Sequence, residues 1–113
     1  MNEFVFLYRG GNRPTSPEES QQVLQRWMAW FKNLADKGHV VDRGQPLERT
    51  GKFVRAGSKS VTDGPFAETK DVVGGYSLIQ ANDLAQAAEL AKGCPILDRG
   101  GGVEVRPVMK LDL

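Results

Sequence analysis

Cysteine and histidine are nearly missing from this chain, with one of each, Cys94 and His39, among 113 residues. A lone thiol cannot close an internal disulfide, and one thiol with one imidazole cannot assemble a His/Cys zinc site. Carboxylates are left as the only plentiful cation ligands, and no aspartate-rich loop of the calcium kind occurs; we expect no metal and no cofactor. An excess of one charge is missing too. The 15 Lys and Arg face 14 Asp and Glu, for a net charge of +1, so no overall field draws the chain to a polyanion, and nucleic acid is not an expected partner. No apolar run nears the roughly 20 residues that cross a bilayer. The first residues lack the basic start and apolar stretch of a signal peptide. The expectation is a cytoplasmic protein with no membrane partner.

What remains is an ordinary globular composition, 40% hydrophobic and 26% charged, in a length that suits a single domain, 1–113. The run Phe4-Val5-Phe6-Leu7-Tyr8 is aromatic and β-branched and predicts a buried strand that stops at Gly10 and Gly11. Ser16-Pro17-Glu18-Glu19 then supplies an N-cap serine, a proline in the first helical position and a glutamate at the third, the pattern of a capping box. Val23, Leu24, Trp27, Trp30, Phe31 and Leu34 follow at three- and four-residue spacing. They predict a helix from Pro17 to Lys37 with one apolar face, closed by Gly38. His39 to Asp42 reads as a short strand, and Lys52 to Arg55 with Lys59 to Thr62 as a hairpin turning at Ala56-Gly57-Ser58. Asp63-Gly64-Pro65 reads as a turn. Val72 to Ala81 resumes a strand, Asn82 is the expected N-cap of a second helix through Leu84, Ala87, Ala88 and Ala91, and Gly93 ends that helix. Gly100-Gly101-Gly102 gives a flexible approach to a last strand, Val103 to Met109, whose Pro107 marks an edge or the end of pairing.

This order predicts an α+β fold: a ferredoxin-like split β-α-β sheet with an inserted β-hairpin. Right-handed connections put both helices on one face. The other face is bare, carrying either Tyr76, Leu78 and Gln80 or their alternates Ser77 and Ile79, because neighbours on a strand point to opposite sides. A bare apolar face on a soluble domain calls for a partner, most simply a second copy about a two-fold axis, so a homodimer is expected.

At Val61-Thr62-Asp63-Gly64-Pro65-Phe66-Ala67-Glu68-Thr69-Lys70, followed by Gly74-Gly75-Tyr76, the sequence resembles the YCII-related family, in the branch named for its Asp-Gly-Pro-Phe motif. The likeness extends to the aromatic first strand ending at Tyr8, to Cys94-Pro95 and to Val103-Glu104-Val105-Arg106-Pro107; residues 9–16 and 42–60 match least. The resemblance implies a ferredoxin-like fold pairing into a dimeric α+β barrel. It also implies a gene association with extracytoplasmic-function sigma factors for some members, and in the wider family a histidine and aspartate catalytic pair. That pair is not evident here. The first helix has no histidine, its approximate counterpart falling near Ala29, and Tyr8 and Arg9 stand where the aspartate would close the first strand.

Asp63 is the first candidate for chemistry, since a carboxylate beside a Gly-Pro turn can face a pocket as a general base or polar anchor. It can equally accept backbone N–H bonds within its own turn. Phe66 is either the wall of an apolar cavity or a plug, and Glu68, with Thr69 and Lys70, is either a ligand contact or a solvated pair. Gly74 and Gly75 within a strand point to a bulge or to close approach of another backbone or a ligand. Tyr76 offers a hydroxyl or packs at an interface. Arg106 suits a carboxylate of a ligand or of the opposite subunit. His39 is the one side chain that titrates near neutrality, a candidate for catalysis or for satisfying carbonyls at the helix end. Cys94 has no activating base in view and reads as a buried structural thiol. Trp27, Trp30 and Phe31 read as core. Two functional classes follow. One is a dimeric small-molecule-binding protein or enzyme with Asp63, Phe66, Glu68, Tyr76 and Arg106 at the ligand; the other is a non-catalytic interaction module working with a sigma factor.

Overall fold

The computed structural model describes residues 1–64 and 72–112. Pro65 to Asp71, which include the expected site residues Phe66 and Glu68, and residue 113 lie outside the described residues. The first strand, β1 (Asn2–Arg9), is the centre of a four-stranded antiparallel sheet. Its alternation sends Phe4, Phe6 and Tyr8 into the core and leaves Val5, Leu7 and Arg9 half-buried on the other side.

Helix α1 (Pro17–Asp36) begins as its sequence dictates. The Ser16 hydroxyl accepts from the Glu19 N–H at 3.1 Å, and Pro17 occupies a position that needs no donor. The capping box does not close, however. The Glu19 carboxylate turns to Thr15, accepting from its hydroxyl at 3.1 Å, and to Arg99, at 2.7 Å. At the other end Gly38, with φ of +79°, makes the left-handed turn; its N–H reaches the Ala35 carbonyl and the His39 N–H the Leu34 carbonyl, both at 2.9 Å. These are the paired bonds of a Schellman motif, and glycine takes the positive φ without the steric cost of a Cβ.

The chain continues through β2 (Val40–Asp42), β3 (Gly51–Val54), β4 (Val61–Gly64), β5 (Val73–Ala81), α2 (Leu84–Ala91), a 3-10 turn (Pro95–Arg99) and β6 (Gly102–Pro107). The main sheet has the order β2-β5-β1-β6, and every neighbouring pair is antiparallel. That is the order of a ferredoxin-like α+β fold. The inserted hairpin β3-β4 stands apart as its own two-stranded sheet, with every residue of β3 exposed.

Both helices pack on one face, because the residues that pair across the strands are buried together there. Phe6 lies opposite Ser77 and Val105, and Phe4 opposite Ile79. Trp30 stacks on Phe6 with centroids 6.1 Å apart, and Leu34, Ala87 and Ala91 complete the layer. The open face therefore carries the first of the two sets left open by alternation: Tyr76, Leu78 and Gln80, beside Val5 and Leu7.

Three local readings of the sequence change. Asp63 and Gly64 belong to β4 rather than to a turn, because Asp63 pairs with Lys52 across the hairpin. The N-cap of α2 is Asp83, one residue after Asn82, with its carboxylate accepting from the Gln86 N–H at 2.8 Å. The glycine triplet is constrained rather than loose. Gly100 takes φ of +80° to close the 3-10 turn, and a Cβ on Gly101 would stand 2.6 Å from Ile96 Cγ1 and 2.7 Å from the Arg9 carbonyl oxygen.

Candidate functional site

The double glycine in β5 shapes the site. Tyr8 pairs with Gly75 and Arg9 with Val73, so Gly74 is the extra residue of a β-bulge. Gly75 faces the helices, and a Cβ there would stand 3.0 Å from the Gln45 carbonyl oxygen and 3.4 Å from Pro46 Cα. The room is taken by another stretch of backbone. The Tyr76 N–H donates to the Gln45 carbonyl at 3.3 Å, and the Leu47 N–H donates to the Gly74 carbonyl at 2.9 Å. Gly44, at φ of +75°, makes this approach; a Cβ on it would run into the Tyr76 carbonyl. The segment after β2 is thus held against the edge of β5, where it faces α1 across a trough.

Two cavities occupy that trough, of about 380 Å³ and about 350 Å³, each of a size that suits a small organic ligand. They share Gly10, Trp27, Pro46, Gly74 and Ile96, so they are neighbours along one wall. The larger is aromatic. Tyr8 meets Trp27 edge-on at 4.8 Å between centroids, Phe31 lies 5.9 Å from Trp27, and Leu24, Met28 and Arg43 complete the lip. Leu24, expected in the core stripe of α1, is instead 61% exposed there. Trp27 and Phe31 are half-buried for the same reason: the trough takes the place of a packed core beside them.

The hydroxyl protons beside the larger cavity are committed within the protein. The Tyr8 hydroxyl donates to Ser77 Oγ at 2.7 Å, and Ser77 donates onward to the Arg43 carbonyl at 2.6 Å. Burial holds the Tyr8 hydroxyl well above the ordinary tyrosine range, so it stays protonated. Among the described residues that line this cavity there is no histidine, aspartate or glutamate. The smaller cavity is charged, with Arg13, Arg49, Arg99 and Glu48 along its walls. Val72 and Val73, which follow the Asp-Gly-Pro-Phe stretch in sequence, line it as well.

Of the described residues that the sequence suggested for a site, Asp63, Arg106 and His39 line neither cavity and Tyr76 borders one. Asp63 binds Lys52 Nζ at 2.6 Å on the exposed hairpin and lines neither cavity. Arg106 is on the open face, 67% exposed and 3.9 Å from Glu104, which Arg9 holds at 2.7 Å. The Tyr76 backbone borders the larger cavity, while alternation places its ring on the open face beside Leu7. His39 is buried at the end of α1. Its Nδ1 lies 2.8 Å from the Gln80 carbonyl oxygen, to which it therefore donates, and its backbone carbonyl accepts from the Gln80 N–H at 2.8 Å. It latches helix to sheet and lines neither cavity. Cys94 is also buried, and desolvation pushes its thiol up to about 12. Sequence reasoning passed over Tyr8, Trp27, Phe31, Arg43, Arg13 and Arg49 as site residues. The signal that could have found them was Gly74-Gly75, which marks where a second backbone comes close.

The solved structure of the 5-chloro-2-hydroxyhydroquinone dehydrochlorinase TftG from Burkholderia phenoliruptrix AC1100, in complex with 2,5-dihydroxybenzoquinone, superposes with a TM-score of 0.53 at 18% identity, over 96% of this chain and 95% of that one. That likeness is one of fold. An uncharacterized protein of Rhizobium meliloti (strain 1021) is 30% identical over 97 residues, spanning 82% of this chain and 78% of that protein. With a family model matched over residues 4–112, the chain belongs to the YCII-related domain family.

Proposed function

We propose that this protein binds a small ring-bearing ligand in the trough between α1 and the segment that follows β2, and that it does so as a homodimer joined through the open face of the sheet. The observation that carries the reading is the aromatic wall. Tyr8, a member of the buried core, and Trp27 and Phe31, which pack against that core, line a cavity of about 380 Å³, so the wall is held in place. Aromatic rings offset or edge-on to one another suit a further flat ring. TftG, of similar fold, is solved with 2,5-dihydroxybenzoquinone, a ring compound small enough for such a space. The described lining offers donors and apolar surface, so the reading is one of binding, and no reaction is assigned. The dimer is supported by Val5, Leu7, Tyr76 and Leu78 together on a face that no helix covers.

The test is calorimetric titration with a panel of hydroquinones, phenols and quinones against wild type, Met28→Trp and Asp63→Asn. Met28 is 46% exposed at the lip, so an indole there can fill the cavity without disturbing the core. Binding to wild type and Asp63→Asn, lost in a folded Met28→Trp, is the expected pattern. Binding that survives in Met28→Trp and disappears in Asp63→Asn would move the site to the hairpin.

A further inference from the structure

We propose that the ligand of the trough carries an anionic group, and that Arg13 and Arg49 receive it; this rests on the binding reading above and names its substrate class as an aromatic carboxylate. Three arginines line the smaller cavity, and they are not equivalent. Arg99 is committed. Its Nη2 holds Glu19 at 2.7 Å and its Nε donates to the Asn12 carbonyl at 2.8 Å, with its side chain only 17% exposed. Arg13 and Arg49 have neither an ion pair nor a hydrogen bond with any described residue. Arg49 is nevertheless half-buried, so its cation has given up part of its water without gaining a partner among the described residues. An arriving anion would remove that cost.

Arg13 comes from the loop ahead of α1 and Arg49 from the stretch after β2, so a group bound by both would bridge the two walls of the trough. Among the described residues of this lining Glu48 is the one carboxylate, and it is exposed. Its single charge does not cancel those of Arg13 and Arg49. Trp27 belongs to both cavities, so a ring resting on it has the arginines in the adjoining space. The guanidinium fork matches a carboxylate in two-point geometry, which fixes the ring's orientation along the trough as well as its affinity.

Calorimetry with 1-naphthoate and its neutral isostere 1-naphthamide tests this. Wild type is expected to bind the carboxylate roughly tenfold or more tightly, the effect of one good charge-assisted contact. Added salt should shrink the preference. The double variant R13Q/R49Q is expected to bind both probes about equally while keeping its affinity for the amide, and R13K/R49K should restore part of the preference, since lysine keeps the charge and loses the fork. Neither arginine has a partner among the described residues, so the variants should fold, which circular dichroism checks; R13Q and R49Q alone give the same reading in smaller steps. Equal binding of the two probes by wild type, or a preference that persists in R13Q/R49Q, would overturn the assignment and leave the trough reading standing. Failure of both probes to bind at millimolar concentration would overturn the two together.

Discussion

Replacing Gly44 by alanine tests whether the trough is built by the approach of one backbone to another. Two costs combine at this residue. Its φ of +75° lies in the left-handed region, where a Cβ costs about 1–2 kcal/mol. The added Cβ would also run into the Tyr76 carbonyl, a backbone atom in the middle of β5 that cannot swing aside. The segment must then retreat, stretching the Tyr76 N–H to Gln45 bond and the Ser77 hydroxyl bond to the Arg43 carbonyl. Each such bond is worth about 1 kcal/mol net. The expected loss is about 3 kcal/mol, or roughly 10 °C in Tm for a domain of this size. Gly38→Ala is the control. Its φ is +79°, but nothing lies within 4 Å of the added Cβ, so it reports the dihedral cost alone, about 1 kcal/mol. Urea unfolding of both variants beside wild type separates the terms. If Gly44→Ala is no less stable than Gly38→Ala, the close packing of residues 44–47 on β5 is not a determinant of the fold and the argument for a rigid trough fails.

Burial raises the Cys94 thiol from 9.0 to about 12, so the fold favours the protonated form. Its contribution is whole below pH 9.0 and is lost as pH rises towards 12. Cys94→Ala should flatten the alkaline fall in Tm across that window, and native protein should resist thiol reagents that label it at once in urea. Glu19 behaves in the opposite sense. Its hydrogen bonds from Arg99 and Thr15 hold its carboxyl below the ordinary 4.5, so its contribution is present above that value and fades as pH falls through the lower folded one; Glu19→Gln should lower Tm at neutral pH and converge on wild type in acid. Leu78→Arg puts a charge in the middle of the open face without touching the core. If wild type sediments as the proposed dimer, this variant should sediment as a folded monomer, and an unchanged dimer would place the interface elsewhere.

The parts of this fold that follow local rules were legible in the sequence. Ser16, Pro17 and Gly38 delimit α1 by capping chemistry that acts over four residues, and the alternation in β1 and β5 sorts the two faces of the sheet. The ferredoxin-like plan followed from the order of elements, and connection rules put both helices on one face. What escaped was decided by contacts distant along the chain. Glu19 leaves its capping box for Arg99, 80 residues away, a competition that no local pattern announces. Asp63 has turn chemistry beside it, yet Lys52 lies opposite it in the hairpin register and claims its carboxylate. The aromatic stripe of α1 showed a buried face but not that the space over Trp27 and Phe31 is left unfilled. That depends on how far residues 44–47 stand from α1, which Gly44 and Gly75 set together.

The same geometry explains why the site and the frame draw on different parts of the chain. β1 and α1 supply the aromatic wall through residues that the core already holds in place, so Tyr8 and Trp27 serve packing and the trough at once. Residues of that kind can change little without loss of stability. Arg13 and Arg49 come instead from the loops that follow β1 and β2. Neither has a hydrogen bond or an ion pair with a described residue. A ligand preference written in such residues can differ between proteins that share the wall, because exchanging an arginine that no described residue pairs changes the charge of the trough without breaking a described ion pair. On this argument the aromatic wall sets the shape of what binds, and the two arginines set its charge.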